Sequence, residues 1–355
     1  MTSMRRRVLF AVAAAVIAAI GAAATLLAVD VYLHGRYQQS GGFNVWGYRG
    51  TPVGKKRPGE FRIVVLGGSA AYGYGVRADE AMPAVLERLL RSRGQSPVFT
   101  VINLAYNNEG AYSFTPTLTD YRWLDYDLAF LYEGYNDLGA SVNKNTSVFR
   151  HDSPMFRVTG YMPIFPIIFR EKAAAMLNGG DVGALYRERP KTVFNASLAT
   201  RAGAGVLDAT AQIAMSLEAQ LGRVSAEPIR HAGDGAASGC ADPWGAFCQS
   251  ISAAVELARA DGRQVMVGTQ PYMNVTPYIH EAHISQQAEM RAMLKRRFGA
   301  DPDVRHVDLG DQVDLEDRHM SPDHMHLTVA GNQKLVGPLV APVLEMAARR
   351  KLKTS

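Results

Sequence analysis

Three short stretches of this 355-residue chain carry side chains that could do nucleophilic chemistry together. The first is Gly67-Gly68-Ser69-Ala70-Ala71-Tyr72-Gly73-Tyr74-Gly75, directly after the apolar run 62–66. Two glycines before a serine allow a sharp turn that exposes the hydroxyl and leaves the serine N–H unspent. The same pattern suits a plain turn or a phosphate loop. However, no Gly-Lys-Ser/Thr follows, and the run is not the Gly-x-Gly-x-x-Gly dinucleotide fingerprint. The second stretch is Gly134-Tyr135-Asn136-Asp137, after the apolar run 127–132. An asparagine amide can point an N–H at a developing oxyanion, although Asn-Asp is also ordinary turn chemistry. The third is Asp323-His324-Met325-His326-Leu327-Thr328. An aspartate three residues before a histidine can turn back onto its imidazole, fix the tautomer and make the ring a base for a serine. His324 competes with His326 for that place, and with His319 the two could also form a metal cluster or simply precede a helix cap.

These stretches need elements that bring them to one place. The runs 62–66, 98–104, 127–132 and 264–268 read as short buried strands, and 305–309 as a further short strand. Helical periodicity covers 80–93, 248–261, about 279–298 and about 328–350. Short apolar strands alternating with helices predict an α/β domain with a parallel sheet covered on both faces. The active site of such a sheet lies past the C-terminal ends of its strands, where Ser69 and Asn136 fall. Residues 138–246 break the rhythm with Pro154, Pro163 and Pro166, the apolar run 164–169 and a helix expected near 203–222. They read as an insertion into the core, and 109 residues are too many for an unstructured loop.

The N-terminus is a separate unit. Arg5, Arg6 and Arg7 precede residues 8–29, which carry no charge and are rich in Ala, Val, Ile and Leu. Twenty-two helical residues span roughly 33 Å, enough for a bilayer core. The arginines predict a cytoplasmic N-terminus and an exported remainder; the rival reading is a cleaved signal peptide. The expected organisation is an anchor at 1–30, a juxtamembrane connector at 31–60 and a domain at 61–350 interrupted by 138–246, placed at a bacterial inner membrane with the domain in the periplasm. Beyond the anchor, 35 basic face 33 acidic residues. With no Lys/Arg stripe and no nucleic-acid motif, this balance excludes a nucleic-acid partner. Cys240 and Cys248 flank an Asp-Pro-Trp-Gly turn and are candidates for a local disulfide in an oxidising compartment.

Taken in order, a strand-terminal serine, a Gly-x-Asn-Asp after a later strand and an Asp-x-x-His before a final helix resemble the SGNH (GDSL-like) hydrolase superfamily. The resemblance covers roughly 60–137 and 246–350. It departs at Gly68, where the family carries aspartate, and at the stretched second block, residues 101–110. There Gly110 is the best match to the family glycine, with Ala105 and Asn108 as rivals.

The resemblance implies a three-layer α/β/α, flavodoxin-like fold with about five parallel strands. It implies acyl-ester hydrolysis with Ser69, Asp323 and His326 as the triad. The oxyanion hole would be the Ser69 N–H, the Gly110 N–H and the Asn136 amide, with no metal or organic cofactor. Tyr72, Tyr74, Tyr106, Tyr112 and Tyr135 lie in or beside the motifs and are candidate cleft residues. Export and tethering suggest an acyl or O-acetyl ester of an envelope polysaccharide or lipid. An O-acyltransferase with the same triad, a non-catalytic envelope carbohydrate-binding protein and an anchored scaffold are the alternatives.

Overall fold

A computed structural model describes residues 3–94, 97–138, 147–169 and 239–354. The predicted helix near 203–222, with most of the insertion, lies outside them. In chain order the helices are α1 Ser3–Tyr37, α2 Ser69–Tyr72, α3 Met82–Ser92, α4 Phe114–Asp120, α5 Pro154–Thr159, α6 Gly245–Ala260, α7 Pro277–Phe298, α8 Val329–Val336 and α9 Val340–Thr354. Five strands, β1 Glu60–Gly67, β2 Val98–Asn103, β3 Leu128–Tyr132, β4 Gln264–Gly268 and β5 Val304–Val307, form one sheet in the order β2-β1-β3-β4-β5. Every neighbouring pair is parallel.

Successive residues of a strand face opposite sides of the sheet, and in the central strands β1, β3 and β4 both sides are buried. Val64, Leu66, Ala129, Leu131, Val265 and Val267 face one layer, packed with Phe114 and Leu118 of α4, Ile251 and Val255 of α6, and Met290 and Met293 of α7. Ile63, Val65, Leu128, Phe130 and Met266 face the other, against Val85 and Leu86 of α3 and Leu335, Val340 and Val343 of α8 and α9. The architecture is therefore the expected three-layer α/β/α with five parallel strands.

Three expectations are corrected. The single helix expected over 328–350 is two, broken by a 3-10 turn at Gly337–Leu339; Pro338 there lacks the N–H a continuous helix needs. The last strand ends at Val307 rather than residue 309, because β4 stops at Gly268, which pairs with Val307. The apolar helix does not stop before a polar connector: α1 runs to Tyr37. Its last turns dock on the domain, and Phe43, Tyr48 and Arg49 of the expected connector are buried. Among the described residues, α1 is the one helix long and apolar enough to cross a membrane. A disulfide joins Cys240 to Cys248 and fastens the first turn of α6.

Candidate active site

β1 delivers Ser69. It ends at Gly67, where a side chain could not fit: a Cβ would lie 2.2 Å from the Tyr132 carbonyl of β3. Gly68 then caps α2 in extended backbone and Ser69 is that helix's first residue. The turn is held from behind. Asn103 at the end of β2 donates to the Ala71 and Tyr72 carbonyls. Arg49, buried and stacked 4.5 Å over the Tyr72 ring, donates to the Tyr72 and Gly73 carbonyls. Arg49 was not anticipated; it sits in the stretch read as a connector.

The other side of the site comes from the loop before α8. Ser69 Oγ lies 2.8 Å from His326 Nε2, and His326 Nδ1 lies 2.7 Å from Asp323 Oδ2. The second carboxylate oxygen of Asp323 accepts the backbone N–H groups of His326 and Met325 at 2.8 and 3.2 Å. The chain reverses through His324, whose φ of +64° lies in the left-handed region that histidine tolerates better than most side chains. Thr328 anchors the loop by capping α8 through Gly331 N–H and donating its own N–H to the Met320 carbonyl. His326, not His324, thus meets both Asp323 and Ser69. Among the described residues, no group of three or more His, Cys, Asp or Glu side chains is placed to hold a metal.

The electrostatics suit this order. Burial raises the Asp323 carboxyl, but the hydrogen bonds and positive character of His326 outweigh it and hold the group at about 2. Asp323 is therefore ionised at neutral pH, able to orient Nδ1–H and to stabilise an imidazolium. The ring of Tyr74 packs 4.7 Å from the His326 ring.

Asn136 and Gly110 meet at the same place. Asn136 Nδ2 donates to the Glu109 carbonyl at 2.9 Å. A Cβ on Gly68 would lie 2.1 Å from that nitrogen and 2.8 Å from that carbonyl. Three turns, after β1, β2 and β3, therefore converge at Gly68. The Glu109–Gly110 turn borders this junction, and Asp137 accepts the N–H of Ala111, the next residue, at 2.9 Å. Ala105 is buried on the α3 side of the sheet, with its N–H held by Asn103, and the three atoms nearest a Gly68 Cβ belong to Asn136, Glu133 and Glu109 rather than to it or to Asn108.

Of the five tyrosines, Tyr72 and Tyr135 are core residues whose hydroxyls are tied to the Gly41 and Pro271 carbonyls. Tyr106 stacks on Phe149 at 3.9 Å, and burial pushes the Tyr112 hydroxyl up to about 12. A cleft of about 600 Å³ at the outer edge of β2, with Lys55, Arg57, Arg62 and Arg91 in its walls, is a different place: neither Ser69 nor His326 lines it.

No protein-family model and no curated protein matches this sequence. Several solved structures resemble its fold. One is the psychrotrophic esterase EstA from Pseudoalteromonas sp., 8% identical over 81% of this chain and 98% of that one, with a TM-score of 0.43. Another is a GDSL-like lipase from Bacteroides thetaiotaomicron, 12% identical over 82% and 92%, TM-score 0.40. A third is Axe2, an acetyl xylan esterase from Geobacillus stearothermophilus, 9% identical over 79% and 93%, TM-score 0.42. At these scores the likenesses carry nothing about the site, which stands on its own geometry.

Proposed function

We propose that this protein is a serine esterase that hydrolyses carboxylic esters, with residues 61–350 as its catalytic domain and α1 as a single-span membrane anchor. The observation that supports it is the unbroken chain Ser69 Oγ, His326 Nε2, His326 Nδ1, Asp323 Oδ2 at 2.8 and 2.7 Å. In this reading Ser69 Oγ attacks the ester carbonyl carbon as its proton passes to His326 Nε2. The oxyanion is met by the N–H groups of Ser69 and Gly110 and by the Asn136 amide. His326 returns the proton to the departing alkoxide, leaving an acyl group on Ser69. Water then attacks that acyl carbon while His326 takes its proton. The carboxylic acid leaves and Ser69 is restored.

The substrate class we favour is an acyl or O-acetyl ester of an exported glycan or lipid, because Arg5, Arg6 and Arg7 before an apolar span predict an exported domain. The test is turnover of p-nitrophenyl acetate and butyrate by the full chain in detergent, beside Ser69→Ala with folding checked by circular dichroism. The expected result is turnover in the parent and only the buffer rate in the variant. Equal rates in the two would remove Ser69 as nucleophile. Acetate release from O-acetylated envelope glycan would then support the substrate class, and activity confined to long-chain esters would count against it.

A further inference from the structure

The end of β3 carries a buried acid that takes no part in the proton path above. Glu133 is 1% exposed. Its Oε2 accepts the Gly68 N–H, in the turn that carries Ser69. Its Oε1 accepts the Gly134 and Asn136 N–H groups at 2.9 and 3.1 Å, in the turn that carries Asn136. The two oxygens of one carboxylate thus serve two turns on neighbouring strands, β1 and β3. A Cβ on Gly68 would stand 2.6 Å from Glu133 Oε2. A glycine before the serine leaves room for an acid that arrives from the opposite strand.

We propose that Glu133 is the positioning residue of this site, setting the Ser69 turn and the Asn136 turn at one fixed spacing through its two carboxylate oxygens; the proposal rests on the esterase reading of Ser69. The reason for such a clamp is geometric. The oxyanion donors come from separate turns and must converge within hydrogen-bond reach of one oxygen, and misplacement by about 1 Å can cost on the order of 10²-fold in rate. Burying an acid is costly unless hydrogen bonds compensate. Burial first, and then the charge of Asp137, raise the Glu133 carboxyl, while the three N–H groups oppose them. The fold retains an expensive group at the place where its donors specify the two turns.

Glu133→Gln keeps the volume but can keep only one side of the clamp. If its amide oxygen serves Gly134 and Asn136, its NH2 faces the Gly68 N–H, donor against donor. Glu133→Ala loses both sides, and Glu133→Asp keeps the charge but is one methylene too short to serve both turns at their present spacing. The experiment measures kcat and KM on p-nitrophenyl butyrate, and the rate of Ser69 labelling by a fluorophosphonate, on the full chain in detergent, with melting temperatures alongside. Expected are a fall of roughly 10–100-fold in kcat for Glu133→Gln at nearly unchanged KM and melting temperature, a larger fall for Glu133→Ala, and a fall for Glu133→Asp at nearly unchanged KM. A folded Glu133→Gln with parental kcat overturns the proposal. If that variant does not fold, Glu133→Asp decides: a folded chain with lowered kcat at nearly unchanged KM supports the clamp, and a folded chain with parental kcat overturns it. Failure of every variant to fold would make Glu133 a stability residue and also overturn it. If the parent shows neither turnover nor Ser69-dependent labelling, the esterase reading itself has failed, and the proposal falls with it.

Discussion

Asn136 spends one amide hydrogen on the Glu109 carbonyl at 2.9 Å. A side-chain amide has two, so the bond that ties it to the Gly110 turn also aims the second. Asn136→Ala is expected to lower kcat by about 10²–10³-fold, or about 2.7–4 kcal/mol of barrier, with little change in KM. Steady-state kinetics on p-nitrophenyl butyrate check this; a loss confined to KM would place Asn136 in ground-state binding instead. The next residue makes a different prediction. Burial raises the Asp137 carboxyl above the ordinary range against the single N–H of Ala111, and it sits beside Glu133, raised likewise but met by three N–H groups, so the proton of the pair rests on Asp137 while Glu133 stays a carboxylate. A carboxyl raised in the folded state holds a proton that the unfolded chain gives up above about pH 4. The folded state therefore binds more protons, and stability falls as pH rises from there until the buried pair ionises. Asp137→Asn removes one such group and the charge that raises the other. Its melting temperature should decline less between pH 5 and pH 8 than the parent's, and parallel declines would mean the pair does not govern the alkaline loss.

At the scale of elements, sequence patterns that repeat along one segment were legible and those that depend on distant partners were not. The stretches 63–66 of β1, 128–132 of β3 and 265–267 of β4 are continuous apolar runs because both sheet faces are covered, and α7 begins at Pro277 after the Thr276 cap, a signal visible in residue order. α4 was not visible: Phe-Thr-Pro-Thr-Leu-Thr-Asp is poor helix sequence, and Phe114 and Leu118 hold it helical by packing on the sheet. The site divides in the same way. Ser69, Asn136, Asp323 and His326 each stand in a short recognisable stretch, and the structure brings all four to one end of the sheet. Glu133 was passed over although a lone acid after the apolar run 128–132, just before Gly134, was a signal. Arg150 had no signal at all. This fully buried guanidinium reaches from the segment read as an insertion to the Leu104 carbonyl at 2.7 Å and lies 3.6 Å from Glu109. Glu109 also accepts the Phe149 N–H at 2.9 Å. The described part of that segment is therefore a brace for the Gly110 turn, a long-range role that spacing along the chain does not encode.

The whole molecule joins its apolar helix to its domain by more than a flexible tether. Asp30 and His34 of α1 are 4% and 2% exposed. The Asp30 carboxylate accepts the Ile164 and Phe165 N–H groups at 3.0 and 2.6 Å and the Tyr161 hydroxyl. Both ring nitrogens of His34 face oxygens, Phe43 O at 2.8 Å on one side and Met162 O at 3.0 Å and Asp30 at 3.2 Å on the other. If α1 spans a membrane, this joint sets the orientation in which the domain meets it. A soluble fragment cut at residue 31, the boundary that composition alone suggests, would remove Asp30 and leave two buried N–H groups without their acceptor, at about 1–3 kcal/mol each. For a domain of this size each kcal/mol is worth about 2–4 °C. A fragment from residue 27 should therefore melt roughly 4–24 °C above one from residue 31, and Asp30→Ala in the full chain should lower the domain's melting temperature in the same direction. Equal melting of the two fragments would show that the joint contributes no stability and that α1 acts on the domain only as a tether.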